Sequence, residues 1–199
     1  MSIFKYNIEI DKNAYLNWRI NKHRTLSEQL SQIGLGYLLA AETAIKLALQ
    51  DNRDKKADIM IFPILFNLIH AIEIYLKAIN IDVEFLLTGR EISAEGKHAI
   101  QNSFSTLLGK IKKLEGKEAT SQFDEVKDVV DEIYTKTDKM DFARYPIDSN
   151  KNNHFYVEDY ENVVIDLEEI LIFVDKCKDV FGRMSSYYQS KVEACLTYE

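Results

Sequence analysis

Between residues 59 and 81 the chain carries a nearly unbroken apolar run, and its few polar groups sit where a helix would align them. Asn67, His70, Glu73 and Lys77 follow one another at spacings of three, three and four. Residues so spaced are surface neighbours on a helix. The segment therefore reads as a helix, over about 58–81, with one polar stripe and apolar sides elsewhere. A helix that is apolar almost all round is a core helix, so other helices must cover it. The polar stripe would then line a bundle edge or an interface between subunits. Pro63 is acceptable there if it falls in the first turn, where its missing N–H would have no helical partner.

The remaining periodicity supplies the cover. Thr25 and Glu28 have the spacing of a capping box, in which each side chain takes up a free backbone N–H of the other residue. From there Leu26, Leu30, Ile33, Tyr37, Ala41, Ala44 and Ala48 recur at helical spacing, and Gly34, Gly36, Ala40, Ala41 and Ala44 keep that helix slim enough for a close neighbour. A third helix carries Ile100, Phe104, Leu107, Ile111 and Leu114. A fourth starts at Ser121 and Asp124 and buries Phe123, Val126, Val130 and Ile133. The last runs over about 158–181, with Tyr160, Val163, Val164, Leu167, Ile170, Leu171, Val174 and Phe181 inward and acidic Glu158, Asp159 and Glu161 at its positive end. The stretch 82–97 reads as a loop with one extra turn, and 183–199 as a tail that could form another helix.

Only 7 glycines and 2 prolines interrupt the 199 residues, against average usage of roughly 7% and 5%. The expected fold is all-α: an antiparallel up-and-down bundle of four to five helices over 25–182. Ahead of it, residues 1–24 form an N-terminal arm whose first ten residues alternate Phe4, Tyr6, Ile8 and Ile10 with Lys5, Asn7 and Glu9. That period suggests a short strand or an extended arm. It has no evident mate in the chain, which points to pairing with a second copy.

A net charge of -7 argues against sequence-blind binding to nucleic acid, though not against a local basic site. Arg19, Lys22, His23 and Arg24 make the densest basic patch, explained equally well as a solvated turn. Cys177 and Cys195 match no metal-ligand spacing, and Cys177 reads as a small buried hydrophobe. No metal site and no cofactor are expected: His70 and Glu73 reverse the Glu-x-x-His order of di-metal bundles, and no second pair exists. The first residues lack a signal-peptide pattern, and ionisable groups interrupt the one long apolar run. A cytoplasmic protein without a membrane span is the expectation.

One stretch, 138–156, loses all periodicity and gathers Pro146, Asp148, Ser149, Asn150, Asn152 and Asn153. It is a loop on local chemistry, and long loops inside compact domains are often functional. With it in view, the segment holding Glu73, Lys77 and Ala78, followed by Gly96, Lys97 and His98 at the start of the next helix, resembles the HEPN superfamily of helical bundles over residues 26–181. The resemblance implies a four-helix core that forms a homodimer. It also implies a role in RNA cleavage, toxin–antitoxin or phage-defence systems, or non-catalytic partnership with a nucleotidyltransferase or an antitoxin protein. Active members of that family carry an Arg followed closely by a His near the last core helix. Here Arg144 and His154 lie in that region, but nine residues and Pro146 stand between them.

Those two residues are nonetheless the expected catalytic pair of a metal-independent ribonuclease. Such cleavage needs a base for the 2′-hydroxyl proton and a cation for the charge developing on phosphorus, roles that fit His and Arg. Tyr145, Lys151 and Tyr156 are the accompanying candidates for stacking a base or holding phosphate. The alternative is that residues 144–148 are a structural turn and the chain a non-catalytic interaction module. Asn67, His70, Glu73 and Lys77 would then serve as its interface.

Overall fold

The computed structural model describes residues 3–90, 100–137, 140–157 and 162–197. Among them the chain is all-helical, with no strand beyond one isolated antiparallel bridge between Ile147 and Asn153. After a four-residue turn, α1 (Leu16–Arg19), come five long helices: α2 (Leu26–Gln50), α3 (Ala57–Thr88), α4 (Ile100–Glu115), α5 (Asp124–Lys136) and α6 (Leu167–Thr197). The helical bundle expected from the periodicity is the fold observed. α3 is its axis and packs against α2, α4 and α6. By length and composition α3 could cross a membrane; 56% of its most apolar stretch is buried inside the bundle.

The capping box forms as expected: the Thr25 side chain accepts the Glu28 N–H at 3.2 Å, and Glu28 accepts the Thr25 N–H at 2.6 Å. α2 then meets α3 closely because Gly34 has no side chain. A Cβ there would lie 2.8 Å from two ring carbons of Tyr75. The Tyr75 ring stacks in turn on Phe181 of α6, with centroids 5.0 Å apart. One aromatic layer therefore joins the three longest helices. Lys178 of α6 reaches Glu42 of α2 at 2.7 Å, and Gln189 reaches Ser31 at 3.3 Å. These pairings run α6 antiparallel to α2.

Three element boundaries and the place of Pro63 differ from the sequence reading. α3 continues through residues 82–88, which were expected to be loop, because Val83, Leu86 and Leu87 extend its apolar face. It stops at Gly89, whose φ of 66° is the left-handed cap that glycine favours. Since α3 begins at Ala57, Pro63 stands in its second turn rather than its first, so the Ile59 carbonyl loses its helical donor. α6 begins at Leu167, not near residue 158; Asp166 caps it by accepting the N–H groups of Glu168 and Glu169. Val163 and Val164, expected inside, are exposed, while Glu158, Asp159, Tyr160 and Glu161 lie outside the described residues.

The boundary drawn at 182 falls within α6, which runs on to Thr197 and buries Met184, Ser185, Tyr188 and Val192. Finally, of the two forms expected for the N-terminal arm, its described residues take no strand. It holds a 3-10 turn at Ile10–Lys12 and the short α1, with Ile3, Phe4, Tyr6, Ile8 and Ile10 exposed.

Candidate functional site

The long connection before α6 is a built structure. Met140–Ala143 form a 3-10 turn that sinks Phe142 and Ala143 into the core. A tight hairpin follows. Asp148 accepts the backbone N–H groups of Asn150 and Asn152, and its own N–H bonds the Asn152 carbonyl at 2.8 Å. This is the turn chemistry that Asp and Asn supply. Lys151 sits at the tip in the left-handed region, φ 67°. The His154 N–H closes the hairpin on the Pro146 carbonyl. Tyr156 then ties both arms together, its hydroxyl lying 2.9 Å from the Phe142 carbonyl and 3.0 Å from that of Tyr145. Its ring packs on Phe62 of α3.

This scaffold gives Arg144 and His154 separate surroundings. The His154 side chain is 4% exposed, and its Nε2 lies 3.4 Å from Asp141 Oδ1, an ion-pair distance. Neither atom makes a hydrogen bond to the described residues. Arg144 is exposed, and its guanidinium carbon lies 5.8 Å from the centre of the Phe66 ring and 5.6 Å from that of Tyr145. A hollow of about 410 Å³ between the hairpin and the end of α5 is lined by His154 but not by Arg144. A larger cleft of about 670 Å³, between the start of α3 and residues 162–167, is lined by Tyr156 but by neither member of the expected pair. Of the other expected ligands, Tyr145 faces Arg144, Lys151 is remote at the hairpin tip, and the Tyr156 hydroxyl is committed to backbone.

The contact that the sequence did not suggest is the one from Arg144 to α3. Phe66 stacks nearly parallel on His70, one helical turn on, at 5.5 Å and 13°. Tyr37 of α2 closes edge-on against His70 at 4.7 Å. Behind His70, Glu73 Oε2 lies 3.6 Å from Nδ1, while Glu73 Oε1 accepts Lys77 Nζ at 2.7 Å. The polar stripe is thus a contiguous triad of polar side chains, 32% exposed at His70, 10% at Glu73 and 19% at Lys77. Asn67 is half-buried beside it. Arg144, Phe66, His70, Glu73 and Lys77 form one continuous row. Phe66 could have been found from sequence, since it stands four residues before His70. Tyr37 and Asp141 gave no such signal, because only the tertiary fold brings them in.

Among the described residues no three His, Cys, Asp or Glu side chains gather as metal ligands. His98, Gly96 and Lys97 lie outside the described residues. Compared with known proteins, the chain matches no family model, and no curated protein or solved structure is significantly similar to it.

Proposed function

We propose that this chain is an HEPN-like helical bundle protein acting on RNA as a metal-independent endoribonuclease, in a toxin–antitoxin or phage-defence setting. The observation that carries the reading is Arg144: an exposed guanidinium held against two aromatic rings beside a row of ionisable groups on α3. A cation set on aromatic rings suits a phosphate flanked by unstacked bases. In a protein of net charge -7 it also gives a local basic point where the whole surface repels nucleic acid. Incubation with a labelled single-stranded RNA tests the reading. The native chain should cleave it without added metal and in the presence of a chelator, and Arg144→Ala should lose at least about a hundredfold of the rate, the scale of losing one charge-stabilising donor. Unchanged cleavage by Arg144→Ala would remove the reading.

A second reading, a non-catalytic interaction module, is favoured by a different observation. Ile3, Phe4, Ile8, Leu16 and Trp18 of the arm are each at least 75% exposed, an apolar run of the kind that marks an interaction site. The occupant proposed is a second copy of the chain. Two measurements test it together: sedimentation of the native chain and of one lacking residues 1–18, where a dimer that becomes a monomer places the arm in the interface and a dimer in both removes it, and the RNA assay above, where cleavage by the native chain rejects a non-catalytic module.

A further inference from the structure

The imidazole with access to substrate in this fold is not the one nearest Arg144 in sequence. His154 is 4% exposed and turned to Asp141, whereas His70 is 32% exposed and shares the neighbour Phe66 with Arg144. We infer that His70, oriented by Glu73 and working beside Arg144, is the general base of a phosphodiester-cleaving site for single-stranded RNA on the α3 face. The inference rests on the ribonuclease reading above and adds to it the identity of the base and the position of the site.

The geometry carries the roles. Glu73 is nearly buried and lies on the Nδ1 side of the ring at 3.6 Å. A carboxylate there favours the tautomer with the proton on Nδ1, which leaves Nε2 as the acceptor. Phe66 and Tyr37 hold the ring plane from two sides, so its orientation is fixed before substrate arrives. Lys77 Nζ donates to the other oxygen of Glu73 at 2.7 Å and so fixes the carboxylate behind the ring. Nε2 of His70 takes the 2′-hydroxyl proton, and the 2′-oxygen bonds to phosphorus. The bond from phosphorus to the 5′-oxygen breaks, and that oxygen takes a proton from water. The hydroxide left behind recovers the proton from His70. The products are a 2′,3′-cyclic phosphate and a 5′-hydroxyl, with no redox change and no metal. Arg144 offsets the charge on the non-bridging oxygens.

Cleavage of a short labelled RNA of mixed sequence, with product ends identified by mass, tests this with the native chain and the variants His70→Ala, His70→Gln, His154→Gln and Arg144→Ala. His70→Ala and His70→Gln should each lose at least about a hundredfold in rate, the lower scale of general-base catalysis. Added imidazole should restore part of the activity of His70→Ala, a rescue that a merely structural residue would not show. His154→Gln should retain native activity. Binding of the same RNA carrying 2′-O-methyl groups should persist in the His70 variants and weaken in Arg144→Ala. If Arg144→Ala and His154→Gln are dead while both His70 variants cleave normally, the ribonuclease reading stands and this inference is overturned. If the native chain cleaves nothing, the reading itself falls and takes the inference with it.

Discussion

Asp82 shows how one side chain sets a property of the whole. It is 4% exposed, near the end of α3, and its Oδ2 has no hydrogen-bond partner among the described residues. Burial pushes its carboxyl up to about 6, against the opposing effect of a hydrogen bond from Ser27 and helped by the charge of Glu28. The folded state therefore binds this proton more tightly than the unfolded chain does, and stability gained from it appears as pH falls from about 7 toward the ordinary carboxylate range of about 4. Above about 6 the ionised carboxylate is a standing cost, of order 3 kcal/mol for a displacement of about two pH units. Asp82→Asn should accordingly raise the urea midpoint at about pH 7.5 and flatten the rise toward pH 5. A native midpoint that falls steadily over that range, unchanged by the substitution, would mean the carboxylate has a partner.

Among the elements, the contact between α2 and α3 is the most sensitive to a single methyl group. Gly34→Ala places a Cβ 2.8 Å from the Tyr75 ring, which cannot retreat because Phe181 stacks on its other side. A loss of about 1–3 kcal/mol is expected, as for other overpacked cores, while Gly36→Ala, with open space at its Cβ, should be neutral or slightly stabilising. Thermal melts of the two variants give the comparison. The helices themselves were legible because their apolar residues recur at helical period, and Thr25 and Glu28 announced the start of α2 by spacing alone. The ends were less so. The run Asp82 to Thr88 mixes two acids with four large hydrophobes and contains no breaker, so a stop looks plausible seven residues too early. The start of α6 was placed too early because Val163 and Val164 have the right period by accident. The candidate site was half legible: the stripe on α3 and the loop around Pro146 could be read as local structure. The pairing of Arg144 with Phe66, and of His154 with Asp141, depends on how the hairpin folds back onto the bundle, which no local pattern encodes.

The whole molecule depends on its last helix. Residues beyond Phe181 bury Met184, Tyr188 and Val192 and carry the Gln189 bond to Ser31 and the Lys191 ion pair with Glu115. A chain ending at Phe181 should lose its cooperative melt and bind a hydrophobic dye. A chain lacking residues 1–18, of which none of the described residues 3–18 is buried, should melt within a few degrees of native. A sharp, native-like transition in the first truncation would show that the final turns are an appendage.

Lys178 meets Glu42 across 136 residues of chain, and this has a consequence for biosynthesis. The hairpin of α2 and α3 leaves the ribosome with its oil-rich side uncovered, and the rod that seals it is translated about eighty residues later. Nascent chains stalled before that point are expected to be strong clients for chaperones, and completed ones to release them only after the final turns have docked.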